Sequence, residues 1–169
     1  MTIAIKTVFA GLIFAGLTVA CIPAHAQLLE VKQTVFGMDC APCAYGLEKR
    51  LKKIEGTTKA RVSLNEGLAA IDLAEENAVK LGTIREAIRE SGFSAEGSTI
   101  RAAGTLKQEA GGWGFELGNG ERFVLEKRAE GDPVYQDLKP GRATITGFVP
   151  KGEADERGTY RLQVLSVSS

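Results

Sequence analysis

Histidine is all but missing: there is one in 169 residues, His25. It falls in an opening segment that reads as a leader. Lys6 supplies a positive start, and Thr7 to Ile22 is almost wholly apolar or small. Ala24-His25-Ala26 then gives the small-x-small pattern at which a signal peptidase cuts. The apolar stretch is short for a bilayer span, which favours removal over anchoring. The expected signal peptide is residues 1–26, with a mature start at Gln27 and export to the periplasm. Leu17-Thr18-Val19-Ala20-Cys21 is a weaker lipoprotein pattern, because Thr18 stands where such boxes usually carry Leu. Cleavage leaves no histidine. No Ser-His-Asp set can then be built, so hydrolytic chemistry has no support and a non-enzymatic role is expected.

Net charge is also absent. Lys plus Arg number 21, and so do Asp plus Glu. Neither half carries a basic stripe, which argues against a nucleic-acid partner. No internal repeat or low-complexity tract is present. Cysteine is scarce, at three residues, and methionine scarcer, at two. Once Cys21 and Met1 leave with the leader, all the soft sulfur sits in one loop, Gly37-Met38-Asp39-Cys40-Ala41-Pro42-Cys43.

Hydrophobic spacing around that loop predicts α+β structure. Leu29, Val31, Gln33 and Val35 alternate with polar residues, as in a strand. Ala44, Leu47, Leu51 and Ile54 form a helical stripe, with Glu48, Lys49, Arg50, Lys52 and Lys53 on the other face and Glu55-Gly56 as the stop. Pro42 suits the first helical turn. Lys59–Leu64 and Leu68–Leu73 read as a hairpin about Asn65-Glu66-Gly67. A second helix is expected over Val79–Glu90. Leu81, Ile84 and Ile88 face inward there, and Arg85, Glu86, Arg89 and Glu90 face solvent. Phe93-Ser94-Ala95 opens a last strand. The order is β-α-β-β-α-β, with both helices on one face of an antiparallel sheet.

From Ser98 onward no long helix is visible. Strands are expected over Ile100–Lys107, Trp113–Leu117, Glu121–Leu125, Arg142–Val149 and Tyr160–Val167, with one possible helical turn at Val134–Leu138. Gly118-Asn119-Gly120 is a strong hairpin signal. Five strands in so short a stretch suggest a small barrel with OB-like spacing. The expected division is 27–97 and 98–169, joined so closely that one strand can run into the next. Trp113, Phe115, Phe123 and Tyr160 fit either a barrel core or a stacking surface for a ligand. The second unit is a candidate docking module for another protein.

The Cys-x-x-Cys pair has several chemical readings. Cys40 lies in a loop and Cys43 near a helix start, where unpaired N–H groups favour the thiolate. Two thiolates suit a soft ion that accepts few ligands, Cu(I) or Hg(II). Zn(II) usually needs four ligands, and no histidine remains to complete them. A thiol–disulfide oxidoreductase or a purely structural disulfide would use the same two residues. Gly37 permits a tight turn. Met38 reads as an apolar plug beneath the loop more readily than as a ligand.

The motif from Gly37 to Cys43, followed by a helix and this element order, resembles the heavy-metal-associated domain family over roughly Glu30–Ala95. That family includes copper chaperones, the N-terminal domains of metal-pumping ATPases and secreted mercury-binding proteins. The resemblance implies a ferredoxin-like fold with Cys40 and Cys43 as metal ligands and Met38 as buried support. It places Phe93, after the second helix, where the family often sets an aromatic residue or a lysine beside the sulfurs. A membrane metal transporter or pump is the partner it implies. The C-terminal half departs from single-domain members.

Overall fold

A sixteen-residue strand organises the whole chain. The computed structural model describes residues 27–152 and 154–168; the expected leader, with Cys21 and His25, lies outside the described residues. The elements run β1 (Leu28–Phe36), α1 (Ala41–Leu51), β2 (Thr57–Ser63), β3 (Leu68–Leu73), α2 (Leu81–Arg89) and β4 (Ser94–Glu109). Then follow β5 (Gly112–Glu116), β6 (Arg122–Glu126), α3 (Pro133–Gln136), β7 (Gly141–Val149) and β8 (Thr159–Ser168). Among the described residues no helix is long and apolar enough to cross a membrane.

The first six elements form the ferredoxin-like unit, with sheet order β2-β3-β1-β4 and all neighbours antiparallel. Alternation places Val31, Gln33 and Val35 of β1 inside and Lys32, Thr34 and Phe36 outside. The α1 stripe buries Ala44, Leu47 and Leu51. Ile54 is half-buried beyond the helix end, because the chain turns out of the helix at Lys52 rather than at Glu55-Gly56.

β4 pairs with β1 over 94–102, with β7 over 98–106 and with β5 over 105–109. It therefore runs through residues 97 and 98 without a break. The pairings β4–β5, β5–β6, β6–β8, β8–β7 and β7–β4 close a five-stranded barrel. Its β6–β8 pair is parallel, and α3 sits between β6 and β7. The barrel is OB-like. Phe115, Phe123 and Tyr160 fill it, with ring centroids 6.5 and 6.1 Å apart along the row, while Trp113 is half-buried. Three of the four candidate stacking aromatics are thus barrel core and present no surface to a ligand.

Closing so small a barrel needs strands that approach closely. A Cβ on Gly104 would lie 2.7 Å from the Glu116 carbonyl oxygen and 2.7 Å from Phe115 Cζ. The carbonyl belongs to a paired strand and cannot swing aside. Gly104→Ala is expected to cost about 2–3 kcal/mol in urea unfolding, as overpacking does; a loss within about 0.5 kcal/mol, typical of an unconstrained surface position, would contradict the tight closure.

One sequence expectation fails outright. Arg85 belongs to the buried side of α2, at 2% exposure, rather than to its solvent face. The barrel covers that side. Nε of Arg85 donates to Gln33 Oε1 (3.3 Å), and Nη2 donates to Ser98 Oγ (3.1 Å) and the Pro150 carbonyl (3.0 Å). Nη1 donates to the Gly152 carbonyl, and the guanidinium lies 5.2 Å from the centre of the Tyr160 ring. One side chain thus ties α2, β1, β4, β8 and the 149–152 segment together. Burial pushes its pKa below the ordinary arginine value.

Candidate metal centre

The loop begins where β1 runs out. Gly37 turns the chain at φ 87°, a conformation that L side chains rarely adopt, so glycine is favoured there. Met38 follows with 8% exposure and joins the hydrophobic core, holding the loop down as a plug. Asp39 is exposed.

Cys40 is the N-cap of α1, in extended conformation, and its Sγ accepts the Cys43 N–H at 3.1 Å. Sulfur here takes the place usually held by a Ser or Asp oxygen. Pro42 sits in the first turn, as its missing N–H allows. Cys43 is the third helical residue. Both cysteines are half-exposed and joined by a disulfide, with Cα atoms 5.1 Å apart. Their sulfurs therefore converge on an accessible rim rather than facing apart or lying sealed.

In this closed state the pair binds no cation, because a disulfide sulfur carries no anionic lone pair for it. Two electrons and two protons open it to two thiols. The first turn of α1 then favours their ionisation. Among the described residues no group of three or more His, Cys, Asp or Glu side chains is placed to hold a metal ion. The donors on offer are two sulfurs.

Phe93 follows α2, and its N–H donates to the Ile88 carbonyl at 3.2 Å. Phe36 pairs with Ser94, so Phe93 lies at the same end of the sheet as the cysteine loop. It is half-buried and lines a small cavity with Arg85, Arg89 and Lys151.

Sequence reading passed over two aromatics that flank the loop. Phe36 is 71% exposed and Tyr45 61% exposed, with the Lys49 ammonium 5.2 Å from the Tyr45 ring centre. The signal was present: Phe36 is on the outward phase of β1, and Tyr45 lies off the Ala44–Leu47–Leu51 stripe. A groove separates α1 from α2, lined by Gly46, Lys53, Gly82 and Thr83 and bridged by the Arg50–Glu90 ion pair.

A βαββαβ unit carrying a surface cysteine pair at the start of its first helix defines a class of small α+β domains. The profile of the heavy-metal-associated domain family matches residues 33–94. The copper chaperone CopZ of Staphylococcus haemolyticus (strain JCSC1435) is 34% identical over 62 residues, which are 37% of this chain and 90% of that protein. The copper-transporting ATPase RAN1 of Arabidopsis thaliana is 38% identical over 69 residues, 41% of this chain. The chain spans only 7% of that ATPase's length. A solved copper binding domain from HMA7, a P-type ATPase, has 35% identity, with 44% of this chain and 92% of that one covered and a TM-score of 0.37. The chain belongs to the heavy-metal-associated domain family. The matched segment ends where β4 begins, and the barrel follows it.

Proposed function

We propose that the reduced protein holds one soft cation between Cys40 and Cys43 and passes it to or from a membrane metal transporter by exchange of thiolate ligands. The observation that carries this reading is the convergence of the two sulfurs on an accessible rim at the head of α1. Cu(I) is the favoured cargo. It is soft and tolerates two sulfur ligands, and the two similar sequences named above are a copper chaperone and a copper-transporting ATPase. Hg(II) has the same donor preference and is the alternative cargo.

Exchange needs an open side. An incoming thiolate from the partner attacks the bound ion, three sulfurs share it briefly, and one sulfur of this chain leaves; a second partner thiolate then displaces the other. The ion never enters water as a free species. Met38 keeps the loop from collapsing, and Gly37 lets it turn up from the sheet. Transfer makes and breaks no covalent bond in the cargo, so the role is not enzymatic. The leader pattern over residues 1–26 supports a periplasmic location. The barrel serves as the surface on which another protein docks.

The test is anaerobic titration of the reduced protein with Cu(I) and, in parallel, Hg(II), against a coloured competing chelator. One ion per chain is expected. No uptake of either ion would refute the proposal. The closed Cys40–Cys43 bond favours a second reading, a thiol–disulfide oxidoreductase. That reading requires turnover of a disulfide substrate without metal.

A further inference from the structure

The seam between helix α2 and the barrel encloses a carboxyl group that metal transfer does not use. Glu121 immediately precedes β6, in phase with Phe123 and Leu125, and points inward with them at 4% exposure. Its Oε1 accepts the Leu81 N–H at 2.9 Å. Leu81 is the first residue of α2, and the N-cap Lys80 makes no side-chain cap bond. The barrel therefore supplies an acceptor that the helix's own sequence lacks. Asn119 fixes the turn: its Nδ2 donates to the Val79 carbonyl (3.0 Å), and its Oδ1 accepts the Glu121 N–H (2.9 Å).

The second carboxyl oxygen, Oε2, is buried with no hydrogen-bond partner. The charged and titratable groups facing Glu121 are Lys80 at the N-cap of α2, Arg85 within α2 and Tyr160 from β8. The two cations and the amides of Leu81 and Gly82 favour the carboxylate. Burial opposes them and prevails, raising the pKa from the ordinary 4.5 to about 7.

We propose that Glu121 makes the clamp between the barrel and helix α2 proton-sensitive, tight when the carboxyl is protonated and looser when it is ionised. The protonated group still accepts the Leu81 N–H through its carbonyl oxygen, so the cap survives at low pH. Ionisation keeps that bond but strands a charge away from water, which opening of the seam would relieve. The sign follows from linkage. The folded chain holds this proton to higher pH than the unfolded chain does. The group's contribution to stability therefore falls as pH rises from about 4.5 through about 7.

The experiment has two arms on the full protein. With side-chain ¹³C-labelled glutamate, the through-bond assigned Glu121 carboxyl is expected to titrate near neutrality; a midpoint at or below the ordinary 4.5 overturns the proposal. In urea unfolding, the folding constant of E121Q relative to wild type is expected to rise about 10²-fold between about pH 5 and about pH 8.5. A ratio that stays flat overturns it too. Should E121Q fail to fold, the carboxyl titration of the native protein decides alone. Metal stoichiometry is expected to be the same at both pH values, since Glu121 is not among the ligands.

Discussion

Replacing Cys40 and Cys43 together by Ser is expected to abolish Cu(I) uptake by the reduced protein while leaving its fold in place. Hydroxyl oxygen is a hard, neutral donor, and a soft cation loses both anionic sulfurs at once. Loss of a group that merely orients a ligand costs about 10–100-fold in affinity, so loss of both ligands exceeds that range. The fold should survive because Ser is itself a favoured N-cap. At position 40 its oxygen can accept the Cys43 N–H that Sγ now accepts. Single replacements leave one thiolate and are expected to bind with far lower affinity and to lose the ion to a competing chelator. Oxidation of the wild-type protein should mimic the double variant, since the Cys40–Cys43 disulfide occupies both sulfurs. Reduction should restore one ion per chain. Uptake by the double variant equal to wild type would show that the cation binds elsewhere.

Arg85→Ala is expected to destabilise the chain by about 3–4 kcal/mol, measured by urea unfolding with reduced protein. The change strips hydrogen-bond donors from Gln33, Ser98 and the carbonyls of Pro150 and Gly152 at once. Each buried acceptor left without a partner costs about 1–3 kcal/mol, offset where water reaches the half-buried ones. At this chain length, a loss of that size lowers the melting temperature by roughly 10 °C. Arg85→Lys should recover only part of it. A single ammonium on a flexible stem cannot donate in the three directions that the planar guanidinium serves. Cu(I) stoichiometry should be unchanged in both variants. A loss below about 1 kcal/mol would mean that the seam bears little of the stability.

The cysteine site was legible because every part of it is local. Gly37 to Cys43 is seven consecutive residues. The turn, the plug and the helix start each follow from a residue's own conformational preference. The helices and most strands were legible for a related reason: their buried stripes repeat with the period of the element. Phe36 and Tyr45 could have been read the same way, from the outward phase of β1 and the outer face of α1. Glu121 also shares the inward phase of Phe123 and Leu125, although its charge argues for the surface.

Arg85 was not legible. A basic residue off the main stripe of a helix reads as solvent-facing, and in an isolated α2 it would be. What buries it is the segment around Val149–Gly152, far along the chain. Gly97 had a role that was not legible either: the continuous strand through it was one of the sequence's readings, but that its missing side chain makes room for the Phe148 ring is set by β7 packing.

By itself the sequence determined the dithiol loop, the βαββαβ order and the four strands that follow β4, because spacing and turn chemistry act over a few residues. Only the tertiary structure decided that β4 is common to both sheets, that an arginine and a glutamate cross the seam, and that three aromatics fill a barrel. Those outcomes depend on which surfaces meet after the chain has closed on itself. Such meetings are set by long-range packing, which no local period encodes.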